Sequence, residues 1–372
     1  VKIVVIGAGI TGATAAFQLG RLGHVVTVYE AEAEVGGNLR TAKLNGISYE
    51  PHGPHIFHTA DEEVWKLVSS MVSLNGYRHR VKTEIPDGSG RQLSWPLQVG
   101  ELKELPEWSK IAAELLERPG PVNMARSFEA YATMLMGPTL YGWFCEGYTW
   151  KQWGMDPKLL SASFAPQRLH LRTDDNPDMF RDPHQGYLHR GWQTLVQRLL
   201  RQVEVQLCHP VTWANLPDAD GYVITSALDD FLELETLPWR GVRSVPTWYP
   251  RGSTIRQAAP VVNFSDRTVP WTRVVDTRLM VWPEADSGYL KNLAQVLVRE
   301  HPGAPVRHYP VDDVAGENRK AHAEMLTGLK TALPTAVVAG RLGQYVYVDM
   351  DQAMRQGLNA ARKLHKILTE KE

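Results

Sequence analysis

The stretch VKIVVIGAGITGATAAFQLGRLGHVVTVYE, Val1 to Glu30, decides the fold. Lys2–Ile6 is a short β-branched run suited to a buried parallel strand. Gly7, Gly9 and Gly12 follow at G-x-G-x-x-G spacing, then a helix-compatible run with Ala16, Leu19 and Leu22 on neighbouring turns, ended by Gly23. Val25–Tyr29 reads as a second strand, and Glu30 closes it 18 residues after Gly12. Each position meets a physical need. The first glycine permits a tight turn, the second lets the backbone approach a pyrophosphate, and the third lets the helix pack close to the strand. The helix N-terminus offers free N–H groups and a positive dipole end to an anion. An acid at the end of the second strand can accept from ribose hydroxyls.

Working outward, Gly36-Gly37-Asn38 lies just past Glu30, where many FAD proteins continue the site, and Gly340-Arg341-Leu-Gly343 follows a late buried-strand run at residues 335–339. These two segments favour FAD over NAD. Between them, residues 101–155 read as helices: Ser109 as cap of 110–118 with Pro119-Gly120 as the stop, Ser127 as cap of a helix through Met136, Gly137 as its end, and Pro138 opening another. Residues 239–311 carry short apolar runs broken by Pro and Gly, which predict strands. Met354, Leu358, Ala361, Leu364 and Leu368 recur at helical spacing near the end.

Composition narrows the function classes. A net charge of −1 over 372 residues gives no general field for nucleic acid or an anionic membrane. No run is long and apolar enough to span a bilayer, and the first residues lack a signal peptide's basic leader. Two cysteines, Cys145 and Cys208, make neither a disulfide framework nor a thiolate metal cluster, so no metal is expected and a reducing cytoplasm fits. Of the 12 tryptophans, Trp143, Trp150 and Trp153 crowd into one segment, Gly147-Tyr-Thr-Trp-Lys-Gln-Trp-Gly-Met155 included. Arg168 and Arg172 flank Leu-His-Leu, and Pro270-Trp-Thr-Arg273 sets an arginine after a rigid turn. Arginine suits phosphate because its planar fork donates bidentately and stays charged. Aromatic rings can stack on a base or a sugar face.

Together these motifs make the chain resemble the UDP-galactopyranose mutases, flavoenzymes that interconvert pyranose and furanose forms of a nucleotide sugar. The carrying motifs are G-A-G-I-T-G at 7–12, G-G-N at 36–38, G-P-H-I-F-H-T at 53–59 and G-Y-T-W-K-Q-W-G-M at 147–155. D-D-N at 174–176, P-W-T-R at 270–273 and G-R-L-G-Q-Y-V-Y-V-D-M-D at 340–351 complete them. The resemblance implies an α/β fold: a Rossmann-like FAD-binding domain (residues 1–75, 205–235 and 330–372), an inserted helical bundle with a mobile substrate loop (100–165), and a mixed, largely antiparallel β-sheet domain (76–99, 166–204 and 236–329). It implies FAD, active when reduced, held by Gly7, Gly9, Thr11, Gly12, Glu30, Gly37, Asn38, Arg341 and Met350. It implies Arg168 and Arg273 on the substrate diphosphate, His55 beside the isoalloxazine and Asp349 near the sugar. Phe144, Tyr148 and Thr149 would form the nucleoside pocket, Trp153 and Gln98 would flank the sugar, and Tyr309 and Tyr347 would bind the phosphates. Relatives of this kind also suggest a homodimer.

The chain departs from that pattern at Pro177, Trp271, Asp276, Gln98 and Cys145, mostly where base and sugar would sit, so a GDP-sugar such as GDP-galactopyranose is an expectation beside the UDP-sugar. The implied reaction is redox-neutral, with N5 of reduced flavin attacking the anomeric carbon. The alternative is an FAD-dependent amine oxidase or desaturase, which shares the FAD-binding start and would oxidise its substrate.

Overall fold

The computed structural model describes residues 1–118, 122–253, 257 and 259–370, so the Pro119-Gly120 stop signal lies outside the described residues. The opening segment folds as read: Lys2–Ile6 (β1), Ile10–Arg21 (α1) and Val25–Tyr29 (β2). β1 and β2 run parallel in the register Lys2↔Val25 to Ile6↔Tyr29. They centre a five-stranded parallel sheet in the order Glu204–Gln206, β2, β1, Gly221–Ile224, Ala336–Val338. Ile3 and Val5 pack on one face with Leu19, Leu195 and Met354, while Val4 and Ile6 pack on the other with Ile224 and Phe231. Both faces are covered, which is why β1 is apolar at every position after Lys2. The C-terminal helix Met350–Thr369 lies against α1, and Gly357 makes the approach possible: a Cβ there would stand 2.5 Å from the Thr11 carbonyl oxygen.

A second sheet of six strands runs in the order Trp239–Tyr249, Gln295–Pro310, Arg273–Asp276, Val261–Phe264, Val81–Glu84, Gln92–Trp95. It is antiparallel except where Val261–Phe264 meets Val81–Glu84. The expected strands of 239–311 are present, but the chain between them forms two short helices, Arg278–Val281 and Ser287–Lys291. Asp286 caps the second by accepting from the Tyr289 N–H at 2.7 Å, an N-cap signal that the Pro and Gly breaks mask in the sequence.

The helical part shows the predicted breaks. Ser127 Oγ accepts from the Ala130 N–H at 3.2 Å at the start of Phe128–Leu140, and Gly137 leaves helical geometry at φ 81°, ahead of Pro138. Trp108–Leu116 begins one residue before the expected cap Ser109, with Glu107 at the cap position. Tyr141–Glu146 forms a π-helical turn leading into Gly147–Trp153. Such turns re-aim side chains and are frequent at functional sites. Among the described residues, no helix is long and apolar enough to cross a membrane.

Candidate active site

The glycine turn after β1 is built by close backbone approach. Gly7 sits at φ 100°, and a Cβ on Gly12 would lie 2.0 Å from the Gly7 carbonyl oxygen, so strand and helix touch only because position 12 is glycine. A Cβ on Gly9, in contrast, would meet nothing within 4 Å. The first turn of α1 has no side-chain cap and no acidic residue, which leaves its N–H groups to a ligand. Gly36 pairs with Gly9, and Gly37 packs on it. Glu30 is buried, its carboxylate accepting from the Ala8 N–H at 2.7 Å and the Glu32 N–H at 3.0 Å, so it fixes the turn it also borders. This open donor set beside Gly9, flanked by an acid, fits the diphosphate and ribose of FAD. Thr11 and Gly340 touch across it, a Cβ on Gly340 falling 3.1 Å from Thr11 Oγ1. Asn38 lies in the short 3-10 turn Gly37–Leu39.

A cleft is lined by residues of the six-stranded sheet, the helical part, the loop at 52–58 and the segment at 341–350. Of the residues expected at the substrate or the flavin ring, it is lined by His55, Phe144, Tyr148, Thr149, Trp153, Arg168, Arg273, Tyr309, Arg341, Tyr347, Asp349 and Met350. One chain of contacts joins the charged ones. The Arg168 guanidinium lies 4.2 Å from the Tyr347 ring centre, Tyr347 stacks on Tyr309 at 5.6 Å, and Tyr309 Oη accepts from Arg273 Nη2 at 3.5 Å. Arg341 backs Tyr347 from 4.6 Å and donates to the carbonyls of His308 and Val348 at 3.2 and 2.6 Å. Three cations and two phenols of this set thus face one space. Arg168 Nη2 also donates to Asp349 Oδ1 at 2.8 Å, and Asp349 and Gln352 form the capping box of the last helix. The expected catalytic acid therefore has a structural duty as well.

Glu300, which the sequence reading missed, is fully buried and takes the Arg273 Nε–H in an ion pair. Its signal is faint: a lone acid in the apolar strand run Val296-Leu-Val-Arg-Glu300. Glu50 was missed too. It accepts from the His55 N–H at 2.5 Å and faces His55 Nδ1 at 3.2 Å, while Tyr187 Oη donates to it at 3.1 Å. Beneath, burial and then the Arg273 charge push His79 down to about 3. Burial and then the Arg40 charge push His52 down to about 4, and burial and then His52 push His308 down to about 3. Each depressed folded value means that the unfolded chain takes up protons near pH 6.5 that the fold refuses. The stability these histidines contribute is therefore fully present above about pH 6.5 and is lost as pH falls toward 4. Urea midpoints measured between pH 7 and pH 4.5 check this, and a flat profile would refute it.

At the aromatic end, Trp153 packs on Phe164 at 5.1 Å and on Tyr309 at 6.0 Å. Cys145 Sγ lies 3.6 Å from Met136 Sδ, and burial pushes its thiol up to about 12, which makes it wall rather than nucleophile. Trp150 departs from the cluster: it is exposed and covered by Arg267 at 4.0 Å. Gln98 stands apart from the cleft-lining residues: it is buried, and its Nε2–H donates to the Asn176 carbonyl at 2.8 Å. Asp276 likewise serves packing, pairing with Arg278 at 2.8 Å. Lys151 is the unforeseen hub. Its Nζ lies within 3.0 Å of the carbonyls of Phe264, Asp266, Val269 and Trp271, tying the turn before Arg273 to the helix that carries Tyr148 and Thr149. Lys151→Met strands those carbonyls and is expected to cost about 2–4 kcal/mol in denaturant unfolding and to raise substrate KM. An unchanged unfolding midpoint would contradict this.

Comparison with known proteins places this geometry. A family model described as UDP-galactopyranose mutase matches residues 143–347, and one described as an NAD(P)-binding Rossmann-like domain matches residues 5–71. The chain is 29% identical to a dTDP-fucopyranose mutase of Escherichia coli, over 97% of each chain. It is 26% identical to a Klebsiella pneumoniae protein described as a probable UDP-galactopyranose mutase, over 97% of this chain and 94% of that one. A crystal structure of reduced UDP-galactopyranose mutase superposes with a TM-score of 0.81 at 16% identity, over 98% and 96% of the two chains, and so shares the fold.

Proposed function

The chain belongs to the UDP-galactopyranose mutase family, and from that membership we propose that it is an FAD-dependent isomerase interconverting the pyranose and furanose forms of a nucleoside-diphosphate hexose. The observation that carries this reading is the run Arg168–Tyr347–Tyr309–Arg273 along one cleft wall, a diphosphate clamp without a Ser-His-Asp set. Bound and reduced, the flavin supplies the nucleophile, N5, for the anomeric carbon. The chain's own residues do the rest. As the bond from the anomeric carbon to the diphosphate breaks, charge grows on the phosphate oxygens, and Arg273 and Arg168 hold that charge in place. Glu300 fixes the Arg273 fork from behind. The diphosphate takes the place of Asp349 as partner of Arg168, which frees the Asp349 carboxylate beside the sugar. Trp153 and Phe164 keep water from the open-chain sugar.

The base is the less constrained part. The E. coli relative is named for a dTDP-sugar, and Cys145, which lines the cleft, departs from the family pattern. A purine pocket for a GDP-sugar fits that divergence as well as the UDP-sugar does. Incubating the reduced protein with UDP-, dTDP- and GDP-hexoses and separating products by chromatography tests the reading. The expected product has the mass of its substrate and appears only with reduced flavin. No pyranose–furanose conversion with any donor would remove the proposal, and oxygen-consuming oxidation of a substrate would favour the oxidase alternative.

A further inference from the structure

Arg40 has no part in the roles given so far. It follows the Gly36-Gly37 turn, and a Cβ on Gly36 would stand 3.2 Å from Arg40 Cγ; Gly36 in turn pairs with Gly9 at the phosphate-binding turn. Its Nη1 is 3.3 Å from the largely exposed Glu32 carboxylate, its Nη2 is 3.0 Å from His52 Nε2, and its buried Nε has no partner. The histidine contact leads inward. His52 Nδ1 lies 3.0 Å from His308 Nε2, and His308 Nδ1 accepts the Val242 N–H at 3.0 Å.

The protons on this chain do not add up. Arg40 and the Val242 N–H can only donate. If both end contacts are kept, His52 Nε2 and His308 Nδ1 must both be bare. The two neutral rings then carry their protons on His52 Nδ1 and His308 Nε2, which face each other across a gap that holds one. Protonating either ring adds a proton and worsens the clash. Releasing one end contact settles the count and keeps the other two. The Val242 N–H is a buried backbone donor, costly to strand, whereas the Arg40 side chain is partly exposed, so the contact that yields is Arg40 to His52. The first turn of α1 carries N–H donors but no basic residue, so a cation beside it would add charge to the hold on a dianionic diphosphate.

We propose that Arg40 is a ligand of the cofactor diphosphate: its guanidinium leaves His52 when the phosphates enter, and His52 then presents its Nε2–H to the cleft it lines. The proton count closes in that state. His308 Nε2–H donates to His52 Nδ1, and His308 Nδ1 keeps the Val242 N–H. The orphaned Arg40 Nε gains an acceptor as the fork turns. This rests on the FAD reading of the site.

The test is a titration of flavin-stripped full-length chain, followed by flavin fluorescence. Arg40→Met is expected to weaken FAD binding about ten- to hundredfold and to leave riboflavin, which has no phosphate, bound as in the wild type. Arg40→Lys, which keeps the charge and the Glu32 pair, is expected to fall between the two and serves if the methionine variant does not fold. FAD affinity within twofold of wild type in both variants overturns the proposal. An equal loss for riboflavin also overturns it, since the phosphates would then not be what Arg40 holds. A wild-type chain that binds no FAD would instead remove the flavoprotein reading beneath it.

Discussion

Arg273→Ala is expected to lower kcat about 10³-fold while the purified protein keeps its bound flavin and its yellow colour. Arg273 is held by Glu300 through Nε, reaches Tyr309 through Nη2 and lines the cleft, where the proposed diphosphate would meet it. A donor placed where charge develops in the transition state is worth about 10²–10³ in rate, and a guanidinium supplies charge as well. The same change leaves the fully buried Glu300 without its cation, which costs about 3–5 kcal/mol in a site of this kind. Lost activity could then reflect lost fold. The double variant Arg273→Met with Glu300→Gln separates the two: it removes the unpaired charge, restores most of the melting temperature, and stays inactive if the arginine works on the diphosphate. Arg273→Lys should recover little, because an ammonium cannot serve Glu300, Tyr309 and a phosphate at once. Near-normal turnover in Arg273→Ala would end the clamp role.

How much of this could be read beforehand follows from the range of each interaction. The opening βαβ unit was legible because its signals are local: β-branched runs, three glycines with distinct backbone tasks, and an acid at a fixed offset. The helix breaks at Ser127 and Gly137 were legible for the same reason. That Arg168, Arg273, Tyr309 and Tyr347 meet was legible only through motifs, since they come from four separated segments and nothing in their spacing brings them together. Glu50, Glu300 and Lys151 escaped notice because a buried charge looks in sequence like a surface one; only the fold shows that Lys151 faces four carbonyls and Glu300 a guanidinium. Gln98 shows the same limit from the other side: its neighbours match a motif, but only the fold shows its amide donating to the distant Asn176 carbonyl.

The second large effect tests the local reading at its centre. Gly12→Ala is expected to abolish FAD binding and to lower stability by more than about 3 kcal/mol, while Gly9→Ala keeps the fold and loses only cofactor affinity. At position 12 the new methyl would stand 2.0 Å from the Gly7 carbonyl oxygen and 3.3 Å from Thr225 Oγ1. Neither can retreat easily. Gly7 is at φ 100°, and Thr225 Oγ1, which donates to the Ile6 carbonyl at 2.8 Å, sits where a Gly7 Cβ would come within 2.4 Å. The helix cannot retreat either, since Gly357 of the last helix backs Thr11 at contact distance. Overpacking of this kind ordinarily costs about 1–3 kcal/mol, and here the displaced atoms are backbone of the tight turn that leaves β1, so the upper end is the minimum. At position 9 the protein offers a Cβ only open space, so the methyl would collide with the diphosphate and with nothing else. Flavin absorbance and thermal melting, measured on both variants, distinguish the cases. A yellow Gly12→Ala protein melting with the wild type would mean that strand and helix are not locked through this glycine. A Gly9→Ala protein that binds FAD as the wild type does would move the diphosphate away from α1.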